Sequence, residues 1–336
     1  MSFVKYSSLE NHTNSKFLSK IFDLIMDKPN LEFVAREKIH GTNFSIIITK
    51  DEIQPAKRTG FIGELEKFFG YEDLMIKYKN QFVQIQEQLK EQKDKYVSIQ
   101  IFGEYAGGNI QKEVDYGEKE LYVFDILTTK QDGEPEYWPD ASVELFCIKN
   151  KLKIAPLIKR GTLEELLKLP VEFESVVNEF DALYESHPTQ AMITTWEQHE
   201  PKENVSEGLV IKPNKPLFLN GGSRVAIKYK TDAFKEKGKG KAPKIPVPLS
   251  ENDKELLLKF SEYVTKPRIK NVVSHIGEIT AKDFGKVLGL TMRDIFVEAE
   301  REGVVIDVAE APSKTKAELQ KMVSVEIREI WLDLIN

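Results

Sequence analysis

The chain has 336 residues, of which 41% are hydrophobic and 30% charged, and its formal net charge is −6. This length predicts two domains, and the composition is typical of a globular protein and argues against disorder. We find no apolar run near the ~18 residues of a membrane span, and no apolar core of a secretory signal at the N-terminus. The single cysteine, Cys147, excludes an internal disulfide and a cysteine-based zinc site, so we expect a cytoplasmic protein.

The first two-thirds of the chain alternate apolar, β-branched stretches with helical patterns. The predicted strands are residues 31–35, 44–49, 96–102, 121–127, 208–211 and 224–230. The predicted helices are residues 71–93, 142–152 and 162–169. Because no glycine-rich phosphate loop follows any of these strands, a mixed α+β domain with antiparallel sheets is favoured over a doubly wound nucleotide fold.

The composition changes after the last predicted strand. Residues 228–244 hold seven lysines against two acidic residues, with glycines and prolines in or just after them, which predicts a solvated linker. A charged hinge and a nucleic-acid contact are both compatible with this composition. We predict a first domain at residues 1–234, the linker at residues 235–249 and a second domain at residues 250–336.

The second domain is predicted to be small and entirely α-helical. Four hydroxyl residues stand three positions before an acidic residue, as is typical of helix N-termini: Ser250, Thr280, Thr291 and Thr315. Residues 250–336 hold 13 basic and 16 acidic residues, so a broad basic platform for nucleic acid is excluded there.

Six short motifs carry the functional interpretation. EKIHGTNF places Lys38 where a predicted strand ends, and AKRTG, GEYAG, LYVFDIL, SEGLVIKP and RVAIKYK follow in that order. In this order and spacing, the motifs resemble those of the covalent nucleotidyltransferase superfamily of polynucleotide ligases and capping enzymes. DNA ligases and capping enzymes usually carry aspartate where this chain has His40. The resemblance is therefore closest to the phage RNA ligase 2 family, with RNA-editing ligases as relatives, and it extends over the whole chain.

The resemblance implies a nucleotidyltransferase domain of the ATP-grasp-like ligase type, followed by the helical domain. It implies an ATP-dependent RNA ligase that acts in RNA repair and seals nicks between a 3′-hydroxyl and a 5′-phosphate in double-stranded RNA. Three transfers are expected, through a lysyl-AMP on Lys38 and an adenylylated RNA end. The implied cofactors are ATP, as substrate, and Mg²⁺ or Mn²⁺. A bacteriophage protein that acts as a monomer in the host cytoplasm, without a membrane, is also implied.

The resemblance assigns roles to individual residues. Lys38 is the nucleophile, and Glu207 is expected to hold the metal ion, directly or through water. Lys228 and Lys230 lie on one face of a predicted strand, where two cations oppose protonation of a nearby lysine and stabilise charge on the α-phosphate. His40 is expected to orient phosphates or to act in the later steps. The other expected nucleotide contacts are the backbone at Glu37 and Ile39 for the adenine edge, Phe124 for adenine stacking, Glu104 for the ribose, and Asn43, Arg58 and Lys212 for the phosphates.

The expected RNA contacts are Arg268, Asp294 and Glu298 in the helical domain, together with Arg58 and Lys212. Two other functions were weighed against this one. A DNA ligase or a capping guanylyltransferase usually carries an all-β oligonucleotide-binding barrel after the catalytic domain, whereas this tail is predicted to be helical. A catalytically inactive RNA-binding module is disfavoured because every expected catalytic position is filled.

Overall fold

The computed structural model describes residues 3–28, 30–91, 95–234 and 249–335. The chain divides into two compact units, Met1–Thr231 and Asp232–Asn336. The predicted linker at residues 235–249 lies outside the described residues, except for Leu249. The domain boundaries that were expected from the sequence therefore stay a prediction.

The first unit contains eleven strands and seven α-helices among its described residues. The strands are β1 (Glu10–Asn11), β2 (Phe33–Glu37), β3 (Thr42–Thr49), β4 (Ile53–Lys57), β5 (Gly60–Phe61), β6 (Tyr96–Ala106), β7 (Glu120–Lys130), β8 (Pro135–Tyr137), β9 (Leu157–Gly161), β10 (Gly208–Pro213) and β11 (Ile227–Lys230). The helices are α1 (Ser15–Ile25), α2 (Tyr71–Lys77), α3 (Lys79–Glu91), α4 (Asp140–Asn150), α5 (Leu163–Leu166), α6 (Val177–Ser186) and α7 (Pro188–Ile193).

The strands form two sheets, one in the order β1–β11–β10–β2–β9 and one in the order β5–β4–β3–β6–β7–β8. Neighbouring strands pair antiparallel, apart from the two-residue parallel pair of β1 with β11. This architecture confirms the expected α+β fold with antiparallel sheets. Each of the six strands predicted from the sequence overlaps an observed strand.

Strand β2 is buried along its whole length, and a buried ion pair fixes it beside α4. The guanidinium of Arg36 donates to both carboxylate oxygens of Asp140, at 3.0 and 2.7 Å, and to the carbonyl of Ala155 at 2.8 Å. Asp140 is 1% exposed, and Arg36 holds the pKa of its carboxyl well below the usual range against the opposing effect of burial. The position of β2 matters because Glu37 is its last residue and Lys38 follows directly.

The second unit contains helices and no strand among its described residues, which confirms the predicted all-α region. Its helices are α8 (Glu251–Ser261), α9 (Lys266–Ile276), α10 (Phe284–Arg301) and α11 (Pro312–Ile335), and their apolar faces share one core that includes Phe260, Ile295 and Leu319. Within the described residues, no helix of either unit combines the length and the apolar character that crossing a membrane requires.

The helix starts in the second unit only partly follow the predicted caps. Ser250 accepts from the backbone N–H of Asp253, and Thr280 forms a capping box with Asp283, as expected. The predicted caps at Thr291 and Thr315 are wrong, because both residues lie inside helices. A hydroxyl followed by an acid at the third position also occurs within an amphipathic helix, where apolar packing on both sides continues the helix through it.

Candidate active site

Lys38 leaves the end of β2 beside the start of β10. Glu37 pairs with Leu209 across these antiparallel strands, and the backbone N–H of Lys38 donates to the carbonyl of Gly208 at 2.9 Å. This pairing brings Lys38 next to Glu207, which precedes β10. The Nζ atom of Lys38 donates to Oε2 of Glu207 at 2.6 Å. The two residues are 169 positions apart in sequence, and the sheet alone brings them together.

Gly208, the first residue of β10, allows the backbone of β10 to lie close to that of β11. Its φ is +132°, and a Cβ atom there would lie 2.1 Å from the carbonyl oxygen of Tyr229. Any side chain at position 208 would therefore push the two strands apart. The glycine keeps Glu207 within reach of Lys230, whose Cα pairs with that of Gly208.

Glu207 is the centre of a cluster of cationic side chains. Oε1 lies 3.0 Å from Nζ of Lys230, while Oε2 lies 2.6 Å from Nζ of Lys38 and 3.3 Å from Nδ1 of His40. Burial by itself would raise the pKa of this carboxyl, but Lys38 and Lys230 hold it well below its usual range. Glu207 is therefore an anion that two lysines share. Lys228 lies two residues before Lys230 on the same strand and is half-buried.

His40 lies between two carboxylates. Its Nε2 atom lies 3.1 Å from Oε2 of Glu113, while its other ring nitrogen faces Glu207. The backbone N–H of His40 donates to the hydroxyl of Tyr116 at 2.9 Å. Glu113 and Tyr116 were missed by the sequence analysis. Both lie in an irregular loop whose sequence has no periodicity that would have indicated their proximity to His40.

The second sheet contributes Glu104, Asn43 and Arg58. Glu104 on β6 pairs with Asn43 on β3, and Arg58 lies in the turn between β4 and β5. Burial raises the pKa of Glu104 to about 7, the charge of Lys38 opposes that rise, and Glu207 adds to it. These mutual effects mean that Glu104 lies within electrostatic reach of the Lys38 cluster, as do Arg58 and His40.

The carboxylate of Glu37 points into the protein interior. It accepts from the hydroxyl of Ser175 at 2.7 Å and from the backbone N–H of Val176 at 2.9 Å, and burial raises its pKa to about 7. Its own N–H donates to the carbonyl of Pro156. The backbone N–H of Glu37 is therefore already hydrogen-bonded within the protein. A contact of the neighbouring backbone at Ile39 with adenine stays a prediction.

Phe124 is half-buried on β7 and packs edge-on against Tyr6, with ring centroids 4.9 Å apart. Its small aromatic cluster also includes Phe102 and Tyr137. Stacking of this ring on adenine stays a prediction, as does the phosphate contact expected of Asn43.

Lys212 lies in a buried network of charged side chains. Its Nζ atom donates to the carbonyl of Phe124 at 2.6 Å and lies 3.2 Å from Oδ1 of Asp125, and its side chain is 6% exposed. Arg224 binds the same Asp125 carboxylate through both of its terminal nitrogens, at 2.7 and 2.9 Å. Lys212 is therefore held between the two sheets by these contacts, and the phosphate and RNA contacts expected of it stay predictions.

The expected RNA contacts in the helical unit lie on α9 and α10. Arg268 is 2% exposed and donates to the carboxylate of Asp294, so its guanidinium ties α9 to α10. Its burial was not evident from the sequence, because Lys266, two residues earlier on the same helix, is exposed. An RNA contact by Arg268 stays a prediction. Glu298 bonds Arg301 one turn later on the same helix at 3.1 Å, and RNA contacts by Asp294 and Glu298 stay predictions.

The residues of the cluster fit a magnesium ion that takes most of its ligands from the substrate and from water molecules. Within the described ranges, no cluster of three or more His, Cys, Asp and Glu side chains could hold a metal ion by itself. Mg²⁺ is commonly held by one or two carboxylates together with substrate phosphates. Glu207, at the centre of the cluster, provides such a carboxylate.

Comparisons with known proteins identify relatives of similar sequence. The RNA-editing ligase 2, mitochondrial, of Trypanosoma brucei brucei is 32% identical over 157 residues, which covers 44% of this chain and 37% of the relative. The RNA-editing ligase 1, mitochondrial, of the same organism is 28% identical over 183 residues, covering 42% and 38%. The chain thus spans less than two-fifths of the length of these relatives.

Among solved structures, a mutant of the Naegleria gruberi RNA ligase with ATP and Mn aligns with a TM-score of 0.45 and 16% identity, covering 70% of this chain and 58% of that chain. The family described as T4 RNA ligase 2 C-terminal matches residues 247–331. The family described as RNA ligase matches residues 31–230, which is more than half of the chain and includes the whole Lys38 cluster. The chain belongs to the RNA ligase family.

Proposed function

We propose that this protein is an ATP-dependent RNA ligase that joins a 3′-hydroxyl to a 5′-phosphate at nicks in double-stranded RNA. The observation that carries the proposal is the pairing of Lys38 with Glu207, at 2.6 Å, beside Lys230, at 3.0 Å from the same carboxylate. A lysine nucleophile, a buried anion and a second cation are the groups that transfer of a nucleotide through a phosphoramidate requires.

In the first step, the lone pair of Lys38 Nζ attacks the α-phosphorus of ATP. A bond forms between nitrogen and phosphorus, the bond from that phosphorus to the bridging oxygen breaks, and pyrophosphate leaves with the bonding electrons. The nitrogen loses its protons to water or to pyrophosphate, because Glu207 is too weak a base to keep one. Lys230 then stabilises the charge that develops on the α-phosphate oxygens.

The second and third steps transfer the adenylyl group and join the ends. An oxygen of the RNA 5′-phosphate attacks the lysyl-AMP, the phosphorus–nitrogen bond breaks, and Lys38 regains a proton. The 3′-hydroxyl then attacks the activated 5′-phosphate, loses its proton and displaces AMP. The three steps together consume one ATP and release pyrophosphate and AMP for each phosphodiester bond.

The cluster around Lys38 also provides contacts for the nucleotide and the metal ion. Glu104 would accept from the ribose hydroxyls, and Arg58 would bind phosphate oxygens through its planar guanidinium. Mg²⁺ or Mn²⁺, held by Glu207, would neutralise phosphate charge when bound. The helical second unit supports an RNA ligase over a DNA ligase or a capping enzyme, since its described residues contain helices where those enzymes usually carry an all-β barrel.

The substrate is tested with matched nicked duplexes that carry RNA or DNA on either side of the break. We expect efficient sealing of the all-RNA duplex in the presence of ATP and Mg²⁺. We expect weaker sealing of the all-DNA duplex under the same conditions. Equal or better sealing of an all-DNA nick would contradict the proposed substrate while leaving the covalent chemistry in place.

A further inference from the structure

Glu113 extends the active-site cluster to the protein surface. Its Oε2 atom lies 3.1 Å from Nε2 of His40, and Nδ1 of the same ring lies 3.3 Å from Glu207. The exposed fraction falls along this line, from 28% for the Glu113 side chain to 13% for His40 and 4% for Glu207. The imidazole therefore connects a surface carboxylate to the buried carboxylate that binds Lys38.

The loop that carries Glu113 is held in place from both sides. At its base, the N–H of Gly108 donates to the carbonyl of Gly117 at 2.8 Å. At its far side, the N–H of Asp115 donates to Asn204 Oδ1 at 2.7 Å, and Asn204 Nδ2 donates back to the carbonyl of Asp115 at 2.8 Å. These backbone bonds fix the position from which the Glu113 side chain reaches His40.

The same loop holds the backbone of His40. The buried hydroxyl of Tyr116 accepts from the N–H of His40 at 2.9 Å, three residues after Glu113 binds the ring. The main chain and the side chain of His40 are therefore fixed by one element. The torsion that turns an imidazole ring is broad, so a ring bonded at one end only samples a wide range of orientations.

We propose that Glu113 is a positioning residue that sets the orientation of His40, so that Nδ1 of the ring faces Glu207 beside the lysine nucleophile. A carboxylate on the far nitrogen of a functional histidine commonly fixes which nitrogen faces the reacting groups. Without Glu113, the ring turns away and Glu207 loses one of its three cationic or hydrogen-bonding neighbours. The functional consequence rests on the proposed ligase activity, whereas the orientation itself does not.

The first test is a double-mutant cycle with Glu113→Ala, His40→Ala and the double variant. The rate of AMP transfer to the protein is measured in a single turnover with labelled ATP and Mg²⁺. We expect Glu113→Ala to slow transfer about tenfold, as is typical when the carboxylate behind a functional histidine is lost. In the His40→Ala background, the same change should cost nothing further. Independent, multiplicative losses would overturn the proposal, as would an undiminished rate in Glu113→Ala.

Two further variants separate positioning from folding and from general charge. Glu113→Gln keeps an oxygen that accepts from the ring and should retain more activity than Glu113→Ala, and equal losses in the two variants would overturn the proposal. If Glu113→Ala fails to fold, Glu113→Gln takes its place in the double-mutant cycle. Glu118→Gln removes the same charge from an exposed position of the same loop and should leave the rate unchanged.

The ring nitrogens of His40 provide a readout that does not depend on activity. With ¹⁵N-labelled histidine, the His40 signals, assigned by comparison with His40→Ala, should move in Glu113→Ala and stay in place in Glu118→Gln. Unmoved signals in Glu113→Ala would overturn the proposal. This readout also decides the case in which His40→Ala has no measurable rate and the double-mutant cycle cannot be completed. Moved signals in a protein that forms no AMP adduct would contradict the proposed function and support the positioning role.

Discussion

Lys38 and Lys230 bind the two oxygens of one carboxylate, with Nζ of Lys38 2.6 Å from Oε2 of Glu207 and Nζ of Lys230 3.0 Å from Oε1. The candidate nucleophile is thus an ion-paired ammonium, which cannot attack phosphorus until it loses a proton. Because each lysine contacts a different oxygen of the shared carboxylate, both ammonium groups lie beside Glu207 without contacting each other through the same oxygen. In the proposed reaction with ATP, Lys38 would leave this ion pair, and Lys230 would remain to balance the charge of Glu207.

Replacement of Glu207 tests whether this carboxylate organises the site. Glu207→Ala leaves Lys38 and Lys230 without their shared anion and removes the expected metal ligand. We expect AMP transfer to the protein to slow by roughly a hundredfold, the usual cost of one electrostatic group at a reacting centre. The single-turnover rate with labelled ATP measures the loss. Glu203→Ala, an exposed glutamate four residues earlier, is the matched control, and equal rates in the two variants would contradict the role of Glu207.

Glu104 predicts a dependence of stability on pH. Its pKa is raised to about 7 in the folded protein, above the ordinary glutamate value of about 4.5. Between these values the folded state binds more protons than the unfolded state, so the free energy of unfolding falls as pH rises. Urea denaturation between about pH 5 and pH 7.5 should show this slope, and Glu104→Gln should reduce it. Glu37, whose pKa is also about 7, keeps part of the slope in the variant.

The same carboxyl predicts how ATP binding depends on pH. An ionised Glu104 accepts more strongly from the ribose hydroxyls than the neutral acid does. The KM for ATP should therefore fall as pH rises through about 7 in the wild type and vary less in Glu104→Gln. A parallel dependence in both proteins would show that a group other than Glu104 controls ATP binding.

Asp140 is predicted to be essential for the fold of the first unit. Its carboxylate is 1% exposed and binds Arg36 through two hydrogen bonds, with Lys212 3.4 Å away. Asp140→Ala leaves the buried guanidinium of Arg36 without its main partner, a change that typically costs about 3 kcal/mol or more. The free energy of unfolding in urea checks this value. Asp132→Ala, in an exposed turn, should change it by less than about 0.5 kcal/mol.

The sequence predicted the sheet architecture because its strands are rich in β-branched and aromatic residues. Residues 44–48, for example, are apolar apart from Ser45. This stretch belongs to β3, which lies buried within the second sheet. Short strands such as β5 and β8 escaped prediction, because two or three residues carry no usable periodicity. A helix start was predicted wrongly at Thr291, because a capping pattern also occurs there inside a helix.

The active-site motifs were recognised from their order along the chain, but their contacts were not. Spacing alone treats Lys212 and Lys230 alike, since each lies near the end of a strand that follows Glu207. The structure separates them, because Lys212 turns into a buried network with Asp125 while Lys230 reaches Glu207. Glu113 could not be found from the sequence, because a contact over 73 positions through an irregular loop leaves no local pattern.

Arg268 gives a prediction that separates folding from RNA binding. Its buried guanidinium ties α9 to α10 through Asp294 and lies 5.7 Å from the ring centroid of Tyr263. Arg268→Ala should destabilise the helical unit by about 2 kcal/mol, seen as earlier loss of helical circular dichroism on heating. AMP transfer to Lys38 should be unchanged. Arg293→Ala, at an exposed position on α10, should leave the melting curve as it is, and equal stability of both variants would contradict the structural role.

The site of AMP attachment tests the account most directly. The purified protein is incubated with ATP and Mg²⁺ and digested, and the peptide that has gained AMP is sequenced by mass spectrometry. The account predicts one adduct, on Lys38, through a bond that is labile to acid and stable to alkali, as phosphorus–nitrogen bonds are. Lys38→Ala should fold normally and form no adduct, while Lys159→Ala, on an exposed position of β9, should form it fully. AMP on another residue, or an undiminished adduct in Lys38→Ala, would contradict it.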